Sequence, residues 1–245
     1  MGPNEGLDIG PFSEEWRRTK VAVIVFSPHE DDETLACGGT IIKKRREGNE
    51  ITLIFLTDGR NSHKTVLNIE ENPTPKEVRM VRRKEAKEVA KILGVKAENV
   101  FFLDFEDGTL KDNTFEACTF IKKILTQLKP TEIFVPHKED MHKDHSSTNT
   151  IVLSAVKKLH LDLDVYEYMI WTKKDEQFKN IFKCPHLIEI NISDVIDLKT
   201  KAIDMYQSQV NILFPSQTKP ILDDHFLSSF RKPVEHFIKY RILKP

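Results

Sequence analysis

Residues 21–39 read VAVIVFSPHEDDETLACGG, and the change of character in the middle of this stretch decides the fold. Its first six residues are all apolar and mostly β-branched, the mark of a strand buried on both faces. Four carboxylates follow directly behind His29: Glu30, Asp31, Asp32 and Glu33. The apolar signal returns at 51–56 (ITLIFL), 100–103 (VFFL), 132–135 (EIFV), 165–171 (VYEYMIW) and 186–190 (HLIEI). Helical periods lie between these runs. Residues 76–93 place Val78, Val81, Ala86, Val89 and Leu93 on one face and stop at Gly94. Residues 114–129 do the same with Cys118, Ile121, Leu125 and Leu128 ahead of Pro130. A third stripe, Val152, Ala155, Val156 and Leu159, follows Ser146, Ser147 and Thr148, which read as N-cap candidates. A fourth runs through Leu198, Ala202 and Met205. Doubly apolar strands alternating with amphipathic helices predict an α/β domain, a doubly wound, mostly parallel sheet with helices on both faces. The expected division is an N-terminal extension over 1–20, the main domain over 21–210, and a C-terminal segment over 211–245 packed on the same domain.

Composition narrows the function classes. The 245 residues carry 37 Lys and Arg against 38 Asp and Glu, a net charge of −1. So even a balance supplies no field for a phosphate backbone, and no nucleic-acid partner is expected. The basic runs at 43–46 (KKRR) and 79–84 (RMVRRK) fall within helices among acidic residues and read as solvated faces. The apolar fraction of 39% excludes a disordered chain. Cys37, Cys118 and Cys184 are odd in number and widely spaced, which suggests neither a disulfide framework nor a thiolate metal site. No apolar run approaches the ~18 residues of a membrane span, and the acidic N-terminus does not resemble a signal peptide. The expectation is a soluble cytoplasmic protein, with homo-oligomerisation left open. Gly38 and Gly39 do not form a dinucleotide loop, because GxGxxG is missing and carboxylates stand where a pyrophosphate would sit.

A doubly wound sheet binds ligands beyond the C-terminal ends of its strands, where the strand order reverses. The segments that follow the first and fourth strands therefore face each other. The first is SPHEDDETLACGG; the other is PHKEDMHKDH, which holds His137, His142 and His145, three of the chain's nine histidines. Two histidines and a carboxylate with an open position describe a catalytic metal site, with Zn²⁺ as the default. The same set also describes the facial triad of an Fe(II) oxygenase.

PHEDDE with its following GGTI, LTDGR, RRKEAKEVAKILGV, FLDFEDG, DMHKDHSST and KTKAIDMYQSQ together resemble the PIG-L/LmbE family of metal-dependent de-N-acetylases. The similarity runs from about Val21 to Gln209. It implies a Rossmann-like fold and removal of acetyl from N-acetylated amino sugars of the N-acetylglucosamine type. By motif position it implies that His29, Asp32 and His145 bind the metal and that Asp31 is the general base activating metal-bound water. It further implies that His142 stabilises the oxyanion, with Asp144 as the partner of His142, and that Arg60 binds sugar hydroxyls. Glu30 stands where the family usually has Pro and is expected to point away from the metal.

Asp107 and Gly108 read as a turn that shapes the pocket wall, His137 as a neighbour of the site or a surface residue, and Ser208 and Gln209 as substrate contacts or helix caps. His225 and His236 receive no role. The alternatives are an amidase acting on a thiol-sugar conjugate, an Fe(II)-dependent oxygenase using the same triad, and a binding protein without turnover. Oxygenases of that kind favour an all-β scaffold, and binding alone needs neither Asp31 nor His142.

Overall fold

The computed structural model describes residues 22–171 and 184–244. The expected extension over 1–20 lies outside the described residues. The chain alternates β1 (Ala22–Ser27), α1 (Asp32–Arg46), β2 (Glu50–Thr57), α2 (Ser62–Leu67), α3 (Pro75–Ile92), β3 (Val100–Phe105), α4 (Thr114–Leu128), β4 (Glu132–Pro136), α5 (Lys143–Lys158) and β5 (Leu163–Tyr168). β6 (Leu187–Asn191), α6 (Ile196–Asp204), α7 (Gln207–Val210), α8 (Asp224–Leu227) and β7 (Val234–Ile242) complete it.

Among the described residues the sheet has seven strands in the order β3-β2-β1-β4-β5-β7-β6. β1 pairs in parallel with both β2 and β4, so the order reverses between β1 and β4. β7 is antiparallel to both of its neighbours, β5 and β6. The expected mostly parallel, doubly wound sheet is thus present. One difference lies in the C-terminal residues, which supply a strand of the sheet itself. VEHFIKYRI was not legible as a strand because its polar residues interrupt the apolar run, as suits an antiparallel strand with one solvated side.

Successive side chains of a strand point to opposite faces. Val23 and Val25 therefore join the core under α1, α3 and α6, while Ile24 and Phe26 join the core under α4 and α5. Gly39 in α1 is required by this packing, since a Cβ there would stand 2.6 Å from Ile192. α3 begins at a capping box, in which Thr74 accepts from the Glu77 amide and Glu77 accepts from that of Thr74, and the chain turns away at Gly94 with φ 75°.

The expected start of the third helix needs correction. α5 begins at Lys143, and its N-cap is His142, whose side chain accepts from the Asp144 amide. Ser146, Ser147 and Thr148 lie inside the helix. An imidazole nitrogen serves here in place of the usual hydroxyl or carboxylate cap.

Candidate metal centre

The β1–α1 turn and the first turn of α5 meet where the strand order reverses. His29 and Asp32 are both buried, the first just past β1 and the second opening α1. Asp32 Oδ2 accepts from the His29 amide at 3.0 Å. The same oxygen stands 3.2 Å from His29 Nδ1 and 3.2 Å from His145 Nε2. Two ligands of one tetrahedral ion, each bonded at about 2.0–2.1 Å, stand about 3.3 Å apart, so both separations suit a shared cation. Among the described residues, neither nitrogen of the buried His145 ring makes a hydrogen bond of good geometry, and Nε2 is the one turned to Asp32. The histidines and carboxylates gathered here are donor types that hold a divalent metal.

The outer nitrogens of the two rings face carboxylates. His29 Nε2 lies 3.1 Å from Asp107 Oδ1 and 3.2 Å from Asp144 Oδ2. His145 Nδ1 lies 3.2 Å from Asp140 Oδ2. A ligating histidine typically donates its other N–H to such a group, which fixes tautomer and orientation. Asp140 is itself fixed by the amides of His142, Ile170 and Trp171. Asp140 was missed in the sequence, although it begins the spacing D-x-H-x-D-H in which four of six residues lie at the site.

Among the described residues, the groups whose ligand atoms all lie within 4.8 Å of one another are His29 with His142 and His145, and His29 with Asp107 and Asp144. His142 differs from the other two. Its Nδ1 accepts from the Asp144 amide at 3.3 Å, which leaves the proton of the neutral ring on Nε2. Burial, together with His29 and His145, holds its pKa down at about 4. A neutral ring with a fixed N–H is a hydrogen-bond donor at neutral pH.

The adjacent carboxylates are driven apart. Asp31 is pushed up to about 8, chiefly by burial, with Arg82 opposing and Asp32 adding to the shift. Asp32 is held far below the carboxylate range, because burial is outweighed by His145 and His29. His29 in turn is raised well above its usual value: burial opposes its charge, but Asp107, Asp144 and Asp32 prevail.

Several expected roles look different in three dimensions. The Asp144 carboxylate accepts from the amides of Gly108 (2.7 Å) and Leu110 (3.2 Å) and faces His29, so its side chain supports His29 and only its backbone touches the His142 ring. Asp107 likewise faces His29 and is more than a turn residue. Arg60 is partly exposed and folds back onto Asp58, with its Nε 2.7 Å from Asp58 Oδ2. His137 is buried, with Nε2 3.4 Å from Glu167 Oε2. Ser208 donates its amide and hydroxyl to Glu85, at 2.8 and 2.6 Å, and thereby joins α7 to α3.

The basic stretch 79–84 also needs correction. Arg82 is buried, 3% exposed, and its Nη2 lies 3.2 Å from Asp31 Oδ1. Periodicity marked it as helical, but only the packing of α3 against the β1–α1 turn turns it inward. Glu30 is fully buried beside it, with Oε2 3.6 Å from Arg82 Nε.

Comparison with known proteins identifies the family. The family model for PIG-L, GlcNAc-PI de-N-acetylase, matches residues 24–156. The chain belongs to the PIG-L family, whose deacetylases are metal-dependent amide hydrolases. A Bacillus cereus protein named probable N-acetyl-alpha-D-glucosaminyl L-malate deacetylase 2 is 29% identical over 199 residues, which cover 78% of this chain and 84% of that one. Diacetylchitobiose deacetylase of Thermococcus kodakarensis is 26% identical over 204 residues, 76% of this chain and 69% of its own. Among solved structures, N,N'-diacetylchitobiose deacetylase from Pyrococcus horikoshii superimposes with a TM-score of 0.63 at 26% identity, covering 77% of this chain and 70% of that one. Family membership sets aside the oxygenase alternative. No helix among the described residues is long and apolar enough to cross a membrane.

Proposed function

We propose that the protein is a zinc-dependent hydrolase that removes acetyl from an N-acetylated amino sugar of the N-acetylglucosamine type, free or conjugated. The observation that carries this reading is the placing of one Asp32 oxygen 3.2 Å from both His29 Nδ1 and His145 Nε2, with Asp31 next in the chain. The named relatives support the substrate class, since an N-acetylated glucosamine unit is common to their names.

His29, Asp32 and His145 would hold the ion, and a set of two imidazole nitrogens and one carboxylate oxygen suits Zn²⁺. When bound, Zn²⁺ lowers the pKa of a coordinated water to about 7 and polarises the acetyl carbonyl. Asp31 accepts the proton of the attacking water as its oxygen bonds to the carbonyl carbon. It then returns that proton to the amide nitrogen as the C–N bond breaks, so acetate and a free amine leave. His142 Nε2–H donates to the oxyanion, a contact worth about 3 kcal/mol where such donors have been removed from other enzymes. Asp107 and Asp144 orient His29, and Asp140 orients His145. Arg60, released from Asp58, is the sugar-hydroxyl donor at the rim.

The test is metal content together with acetate release from N-acetylglucosamine, its oligomers and N-acetylglucosamine conjugates, with Asp31→Asn as control. Zinc-dependent release by wild type that is lost in the variant supports the reading. Silence of wild type across the panel overturns the substrate class. Equal turnover by both proteins removes only the role of Asp31.

A further inference from the structure

Asp31 sits in a conformation that an L residue rarely adopts, with φ 131° and ψ −32°. Such a backbone persists only when its surroundings over-determine it. Glu33 Oε2 accepts the Asp31 amide at 3.1 Å, and the Asp31 carbonyl accepts the amides of Thr34 and Leu35. The remaining restraint comes from a different part of the chain. Arg82 Nη2 donates to the carbonyl of Glu30, the residue before Asp31, and faces Asp31 Oδ1 at 3.2 Å. Its Nη1 donates to the Gly59 carbonyl at 3.2 Å. One planar guanidinium therefore joins the peptide that precedes Asp31, the Asp31 carboxylate and the loop after β2.

The surroundings are shaped to this fork. Gly59 has φ +57°, and a Cβ there would stand 2.8 Å from Arg82 Cζ and 2.5 Å from Glu30 Oε2. Among the described residues, neither Glu30 oxygen has a hydrogen-bond partner of good geometry, nor does Arg82 Nε. The hydrogen bonds of the guanidinium thus go to two backbone carbonyls, and its Nη2 also pairs with Asp31 Oδ1 at 3.2 Å. An ammonium could replace its charge but not its divergent donors.

Resting on the reading of Asp31 as proton acceptor, we infer that Arg82 is a positioning residue. It occupies Oδ1 and aims Oδ2 at the reacting water. A displacement of about 1 Å at such a group costs about a hundredfold in rate.

The decisive experiment is a double-mutant cycle of Asp31→Asn and Arg82→Lys on metal-loaded enzyme, with kcat, KM, zinc content and thermal unfolding measured for all four proteins. R82K is expected to lower kcat about a hundredfold, with KM and zinc content little changed. Adding R82K to D31N is expected to lower the residual kcat no further, because the group through which Arg82 acts is already gone. A loss of the same factor in both backgrounds overturns the inference and leaves the role of Asp31 standing. Full activity of D31N overturns the proton-acceptor reading, and this inference with it. Should R82K not accumulate as folded protein, a crystal structure of metal-loaded wild type decides. Asp31 Oδ1 within hydrogen-bond reach of Arg82 supports the assignment; a carboxylate swung away from Arg82 overturns it.

Discussion

Two buried cation–carboxylate pairs lie close to α1, and they are built in opposite ways. Lys199 Nζ lies 2.7 Å from Glu235 Oε1, and the two Glu235 oxygens also accept the amides of Gly39 and Thr40 and the Thr40 hydroxyl. Each oxygen of that carboxylate has donors of good geometry, and the pair ties α1, α6 and β7 together. Arg82 and Glu30 meet at 3.6 Å, and among the described residues both Glu30 oxygens and Arg82 Nε lack hydrogen-bond partners of good geometry. A satisfied buried network serves to hold the fold. An unsatisfied one beside a strained backbone accords with the positioning role inferred for Arg82.

Four changes would break or sharpen that contrast. Asp31→Asn, at the end of the Arg82 network, should lower kcat by about 10³-fold, near the upper range for a positioned acid–base group, with thermal unfolding almost unchanged. Glu235→Ala should do the reverse. Breaking a buried pair costs about 3–5 kcal/mol, and two backbone amides lose their acceptor as well. Denaturant unfolding should show that loss, while kcat per folded molecule stays near wild type; a selective loss of kcat would erase the distinction between the pairs.

Asp140→Asn removes the charge that faces His145 Nδ1, and should weaken zinc binding about 10- to 100-fold in competition with a chelator. The smallest effect is expected at His63, a buried ring packed edge-on against Phe214 at 5.2 Å. Burial and the Arg82 charge hold its pKa at about 4. Its folded value therefore lies below the unfolded value of about 6.5. The unfolded chain binds the extra proton between these limits, so stability falls as pH is lowered from about 6.5 to 4. His63→Phe should flatten that part of a stability–pH curve by on the order of 1 kcal/mol.

Much of the site was legible because the fold rule is simple. A doubly apolar strand at 22–27 and another at 132–136 had to lie side by side in the sheet, and the rim between them had to gather His29, Asp31, Asp32, His142 and His145. Asp140 and Arg82 were not legible for different reasons. Asp140 is one carboxylate in an acidic loop, and its value comes from facing His145. Arg82 lies in a run of like residues of which only one turns inward, and helical period alone does not say which face meets the β1–α1 turn. β7 escaped notice because its pattern is not the continuous apolar run of the parallel strands.

The sequence by itself determined the α/β class, the parallel order around β1, and the neighbourhood of a metal site, because strand burial and right-handed crossovers leave few topologies. Only the tertiary structure decided which carboxylate supports which histidine, that Asp144 serves His29, and that Arg82 grips Asp31. Those pairings depend on side-chain direction across elements far apart in the chain, and a separation of 3 Å between them is set by packing rather than by spacing along the sequence.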